Sequence, residues 1–244
     1  MVRNAKRVIG VAKRVRKVDE LTRAAIQGIC VGITSYCQLA GRVVDQTRRR
    51  VLQGETVPAE KKVYSIFEPH TDLIKRGKVQ KPVEFGHKVF LAESARGLIS
   101  EYRVLKGNPA DNLHVQGSLE YHQQTFQHAP QDYAGDRGFH SAENVQKCKD
   151  AGVTLVCLPQ RGGQKSAEQE ELESSRAFRK GQKFRAGIEG RISVLFRGRG
   201  MKRCLFKGRE RFEMLVGAAV LANNLMRIAD LLQKRKPNRR RAAA

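Results

Sequence analysis

Asp132-Tyr133-Ala134-Gly135-Asp136-Arg137-Gly138 is the stretch on which the fold turns. Tyr133 and Ala134 suit a short strand, while Gly135, Asp136 and Gly138 carry turn chemistry, so the segment reads as a brief β run that breaks into a turn. Ser141 follows as a helix N-cap with Glu143 in the favourable first turn, which predicts a helix to about Ala151. Val153 to Leu158 is a further apolar β run. Strand, helix and strand in this order point to an α/β protein with a mixed sheet.

Upstream, Leu98 to Leu105 reads as a strand and Glu84 to Ala92 as the strand before it, joined by a hairpin turn at Ser94-Ala95-Arg96-Gly97. Val63-Tyr64-Ser65-Ile66-Phe67 reads as an earlier short strand, ended by Glu68-Pro69. Asn108-Pro109-Ala110-Asp111 is a turn, after which a helix runs to about Phe126. Residues 1–55 read as helical: Val8, Val11, Ala12, Val15 and Val18 recur at three- and four-residue steps, and a second helix is expected from Asp19 to Gln53, with breaks near Gly28, Gly32 and Gly41. Residues 159–183 read as a Gly-, Gln- and Glu-rich connection whose acids Glu168, Glu170, Glu171 and Glu173 form a solvated face. A helix from Arg209 to Gln233 is apolar nearly all round and is expected to be buried against the sheet. The resulting division is a basic helical segment (1–60), an α/β domain (61–233) and a basic tail (234–244).

Charge narrows the partners. The 244 residues hold 47 Lys+Arg against 24 Asp+Glu, a net charge of +23, with 40% apolar residues, enough for a packed core. A surface this cationic attracts polyanions, nucleic acid above all. Residues 179–211 alone hold 12 Lys+Arg against two acids, Glu189 and Glu210. Five irregularly spaced cysteines with no CxxC pair speak against a disulfide scaffold and a structural zinc site. His70, His87 and His140 read as surface or turn residues, and Arg161-Gly162-Gly163-Gln164-Lys165 lacks the spacing of a phosphate-binding loop. The longest uninterrupted apolar stretch, Met214 to Ala222, falls well short of the roughly 20 residues a bilayer span needs, so no membrane partner is expected.

Two carboxylates inside this cationic sequence are the chemical candidates. Glu189 lies in Arg185-Ala186-Gly187-Ile188-Glu189-Gly190-Arg191, on a helix if Ile188, Ile192 and Leu195 form its buried stripe. It is either half of an i,i+4 ion pair with Arg185 or a metal ligand flanked by phosphate-binding arginines. Asp136, between Gly135 and Gly138, is either a turn aspartate bonded to its own backbone or a second ligand. Two such acids on neighbouring elements suit a hard divalent cation.

Tyr133-Ala134-Gly135-Asp136-Arg137-Gly138-Phe139, followed by Gly187-Ile188-Glu189-Gly190-Arg191-Ile192-Ser193, resembles the second and third acidic motifs of DDE insertion-sequence transposases. Glu84-Phe85-Gly86-His87-Lys88-Val89 and Gly107-Asn108-Pro109-Ala110-Asp111 are similar to the segments before the second acid, and the likeness runs over roughly residues 60–232. The resemblance implies a ribonuclease-H-like mixed sheet with flanking helices, preceded by the basic helical segment. It implies Asp136 and Glu189 as catalytic metal ligands for Mg²⁺ or Mn²⁺. Arg137, Arg185, Arg191, Arg197, Arg199, Lys202 and Arg203 are then the phosphate contacts. The implied activity is metal-assisted cleavage and transfer of DNA strands, with transposon ends and target DNA as partners, a homodimer as assembly, and a prokaryotic cytoplasmic, nucleoid-associated setting.

The likeness has departures. Gln182 stands where the family's third motif has a tyrosine, and Phe196, with Arg197 next door, stands where it has a lysine. The family's first aspartate ends an apolar strand. Asp19 and Asp45 lie in helical sequence, Asp72 in a loop and Asp111 in a turn, so none replaces it well and Asp72 is the least poor. The expectation is therefore a chain that starts after its first ligand, exposes a strand edge and is impaired in catalysis. The competing expectation is a non-catalytic basic nucleic-acid-binding protein.

Overall fold

The computed structural model describes residues 2–75, 80 and 82–235. Over these residues it is a mixed α/β structure, about 57% helical, with seven helices and small sheets. The residues group into two compact units that divide between His87 and Lys88, beyond the change of character that the sequence suggests near residue 60.

In the first unit α1 (Val2–Ala12) is followed by α2 (Glu20–Val51). Asp19 caps α2, its side chain accepting from the Thr22 N–H. The expected breaks at Gly28, Gly32 and Gly41 do not occur: each glycine costs about 1 kcal/mol, too little to interrupt a helix that loses no backbone hydrogen bond. The expected valine stripe is not buried either, since Val8 and Val11 of α1 and Val15 beyond its end are all exposed. Val63 to Phe67 forms no strand; instead Gln46 of α2 grips Val63 through both its N–H and its carbonyl. The strands here are β1 (Asp72–Lys75) and β2 (Val83–Gly86), antiparallel with Leu73 opposite Phe85. The His87 side chain is only 4% exposed, not a surface group: its ring stacks on His70, its Nδ1 faces the Asp72 carboxylate, and His70 in turn meets Glu68.

The second unit opens on a hairpin, β3 (Val89–Glu93) and β4 (Ile99–Val104). The expected strand from Glu84 to Ala92 is thus two strands, β2 and β3, parted where Gly86 adopts φ 148°. The turn lies where the sequence puts it: Ser94 and Leu98 bond through the backbone, and Gly97 takes φ 78°, a left-handed conformation that glycine adopts at no steric cost. Then come α3 (Val115–Phe126), β5 (Asp132–Ala134), α4 (Ala142–Asp150) and β6 (Leu155–Cys157). Ser141 caps α4 as expected. β5 and β6 run parallel, Ala134 beside Cys157, with α4 as the crossover.

Among the described residues the strands do not join into one mixed sheet: they pair as three two-stranded sheets. Two side-chain cores back the sheets of the second unit. Val115, Leu119, Cys148, Val153, Val156 and Leu158 form one, closed by Tyr133 and Phe139. Ile99, Leu195, Ala219 and Val220 form the other.

The connection after β6 is largely helical, with α5 (Ala167–Ser174) and α6 (Arg176–Gly198). Glu173 is not solvated: burial raises its pKa, but hydrogen bonds from Lys165, the Gln160 N–H and Gln169 outweigh this and hold it down at about 2. The last helix, α7 (Arg209–Arg235), is buried along one face only. Asn224 of α7 donates to the Ile99 carbonyl and accepts from the Ile99 N–H, splinting the hairpin. By length and composition Arg209–Lys234 is apolar enough to cross a membrane, which the length of the uninterrupted apolar run did not reveal. Of the tail expected over 234–244, residues 236–244 lie outside the described residues.

Candidate phosphate and cation site

The carboxyl ends of β5 and β6 are covered by α6, and small residues make the approach possible. A side chain at Gly181 would collide with the Cys157 sulfur, so only glycine lets the helix press onto the strands. A Cβ at Gly135 would come within 2.7 Å of Leu158, and one at Gly138 within 2.6 Å of Asp111 Oδ2. Gln182, one residue beyond the close contact, donates to the carbonyls of both Gly135 (3.2 Å) and Cys157 (2.6 Å). It ties α6 to the ends of two parallel strands at once.

This docking sets the register of the remainder of the helix. Arg185, three residues on, reaches Asp136 with Nη2 to Oδ2 at 2.8 Å. Its Nη1 lies 3.6 Å from Glu189 Oε1, one turn further. Asp136 also caps the 3-10 turn Arg137–Phe139, its side chain accepting from the Arg137 N–H. Both bland readings of these acids therefore hold: Asp136 bonds its own turn, and Glu189 makes an i,i+4 pair. The structure adds that both carboxylates, 189 − 136 = 53 residues apart, converge on one guanidinium. They are 52% and 72% exposed, so the ion pairs are solvent-screened and contribute little to stability.

The cationic residues divide by environment. Arg137, Arg197, Lys202 and Arg203 are exposed around the end of β5 and the end of α6. Arg199 is half-buried and donates to the Gly198 carbonyl. Arg191 is engaged inside the fold, its Nε and Nη2 both within 3.0 Å of Glu93 Oε1. Arg191 lies about 200° around the helix from Glu189, so α6 presents one acid–arginine pair to β5 and a different one to β3.

Glu93 is a buried partner of α6 that the sequence-based set does not contain. It ends the apolar strand β3 and its side chain is 7% exposed. Its signal, an acidic residue closing Val89-Phe90-Leu91-Ala92, is present in the sequence. Asp72, in the first unit, is held by His87, and Asp111 is paired with Lys88 at 2.7 Å. Among the described residues no group of three or more His, Cys, Asp or Glu side chains gathers as a metal-binding cluster.

Two carboxylates are nonetheless the donor chemistry of Mg²⁺ or Mn²⁺, which are held by one or two such groups and keep waters for a substrate phosphate. By donor type Asp136 and Glu189 fit, with Arg185 as the competing cation between them. Comparison with family models, with curated proteins and with solved structures found no match to this chain.

Proposed function

We propose that the chain is a DNA transposase of the DDE type, in which Asp136 and Glu189 act together on a phosphodiester. The observation that carries this reading is the meeting of the two acids on Arg185 at the carboxyl ends of parallel strands, where α/β proteins hold their ligands. The element order of the second unit, an antiparallel hairpin followed by helix, strand, helix, strand and helix, supports a ribonuclease-H-like arrangement.

Asp136 and Glu189 would hold Mg²⁺ or Mn²⁺, which when bound stabilises charge developing on the phosphate during in-line attack. The residues of the chain do the rest. Arg185 keeps two like charges together in the free protein and can exchange a carboxylate for a phosphate oxygen as DNA arrives, a charge-assisted bond of the same kind. Arg137, Arg197, Lys202 and Arg203 position the backbone through phosphate contacts that weaken steeply with salt. Gln182 fixes the helix register on which all of this depends.

One observation favours the second reading, a non-catalytic nucleic-acid-binding protein: Arg185 itself fills the space between the acids. A single experiment separates the two. Supercoiled plasmid carrying the DNA that flanks this reading frame is incubated with the chain and Mg²⁺ or Mn²⁺, and nicking and DNA retention are scored together. The transposase reading expects cleavage that is lost by at least about a hundredfold in Asp136→Ala and Glu189→Ala while retention survives. Retention with no cleavage by any form would leave only the binding protein.

A further inference from the structure

The end of the first unit gathers two histidines and two acids. The Glu68 N–H donates to Ser65 Oγ and the Thr71 N–H to the Glu68 carbonyl, so Glu68-Pro69-His70 is held as a tight turn ahead of β1. The register of β1 against β2 sets Asp72 opposite Gly86, which places the next residue, His87, beside it. Turn and hairpin together bring the rings of His70 and His87 within 16° of parallel, with His70 Nδ1 2.6 Å from His87 Nε2. The outer nitrogen of each ring meets a carboxylate: His70 Nε2 lies 2.6 Å from Glu68 Oε2, and His87 Nδ1 lies 3.1 Å from Asp72 Oδ2.

The chemistry of this row fixes where its protons sit. An ionised carboxylate only accepts, so the protons on His70 Nε2 and His87 Nδ1 are committed to Glu68 and Asp72. The inner nitrogens, His70 Nδ1 and His87 Nε2, then meet through their lone pairs, which repel at this distance unless a cation stands between them. A shared proton meets that need in the free chain. We infer that His70 and His87 form a binding site for a divalent transition-metal ion of the imidazole-preferring kind, Zn²⁺ above all, which takes the proton's place. Metal-bound histidines characteristically give their second ring nitrogen to a carboxylate, which fixes the tautomer and strengthens the ligand, and here both rings do so. On a tetrahedral ion two such nitrogens stand about 3.3 Å apart, so binding parts the rings by less than an ångström. The His70 side chain is 24% exposed, and the remaining positions on the ion fall to oxygen ligands from solvent. The result is an open two-imidazole site, unlike the closed zinc cluster that the cysteine spacings speak against. Mg²⁺ and Mn²⁺ prefer oxygen donors and do not suit it. Both histidines lie in the first unit, so the site does not depend on the transposase reading.

The test titrates the full chain with Zn²⁺ by isothermal calorimetry, with and without a large excess of Mg²⁺. The wild type is expected to show a Zn²⁺ site that Mg²⁺ does not displace. His70→Ala is expected to weaken it by about tenfold or more, and so is Glu68→Ala, which leaves both ligand nitrogens in place and removes only the group that orients one of them. His128→Ala, at an exposed histidine elsewhere, is expected to bind as the wild type does. His87→Ala removes a buried ring, so where it lowers helix content by circular dichroism the comparison rests on His70→Ala and Glu68→Ala. Nitrogen NMR of the imidazoles gives a direct reading: Zn²⁺ is expected to shift His70 Nδ1 and His87 Nε2 and to leave the protons on His70 Nε2 and His87 Nδ1 in place. A wild type that takes up no Zn²⁺, and so holds a shared proton only, would overturn the inference. So would binding that survives both His70→Ala and Glu68→Ala, that Mg²⁺ displaces, or that His128→Ala removes.

Discussion

Gln182 and Arg185 lie three residues apart and do opposite work. Gln182 satisfies two backbone carbonyls at strand ends, in a half-buried place where an unmet acceptor costs about 1–3 kcal/mol. Arg185 bridges two exposed carboxylates, whose ion pairs contribute about 0–1 kcal/mol. Gln182→Ala is therefore expected to lower the thermal unfolding temperature clearly and Arg185→Ala hardly at all, while DNA retention follows the reverse order. Equal effects on unfolding would mean that Gln182 does not dock the helix. At this scale Glu189 was legible as a candidate because it stands out among cations, and Asp136 because it ends a strand beside Gly135 and Gly138. Their shared partner was not, because a contact across 49 residues depends on how α6 is seated.

The seating of α6 is a matter of the whole element. Replacing a mid-helix glycine with alanine ordinarily stabilises by about 0.5–1 kcal/mol, as expected for Gly187→Ala and Gly190→Ala, which meet nothing within 4 Å. Gly181→Ala has the same propensity gain but drives its methyl into the Cys157 sulfur, so the sign reverses and unfolding is expected at lower temperature. Comparing the three melting curves checks this; a stabilising Gly181→Ala would mean that the helix does not press on β6. Helix α5 carries a pH prediction. The Glu173 carboxyl is held at about 2 against an ordinary value of 4.5, so its favourable bonds are complete above pH 4.5 and lost as pH falls toward 2. Hydrogen exchange in α5 is expected to rise through that window in the wild type and to be already raised at neutral pH in Glu173→Gln. Caps and turns of these elements were readable from sequence, since Ser141 and Gly97 act on neighbours. The misreading of Val63–Phe67 has the opposite cause: its local β preference lost to Gln46, a residue from a distant helix.

At the scale of the molecule, the order of strand and helix patterns gave the α/β class, composition the cationic character, and periodicity located most helices. What it left out was tertiary. Whether two-stranded pieces join one sheet depends on long-range pairing, and whether an apolar helix such as α7 is covered depends on what packs against it. The shared site is of that kind, since Asp136 and Glu189 meet only if the strand pair, the crossover helix and α6 all assemble. A Mn²⁺ titration followed by electron paramagnetic resonance tests it, on the wild type, Asp136→Asn, Glu189→Gln and the double variant, with Arg185→Ala alongside. One Mn²⁺ site is expected, weakened about tenfold or more by either single change, little further by the second, and tightened when the competing guanidinium is removed. Equal binding by the wild type and both single variants, or losses that simply add, would show that the two acids do not share a cation.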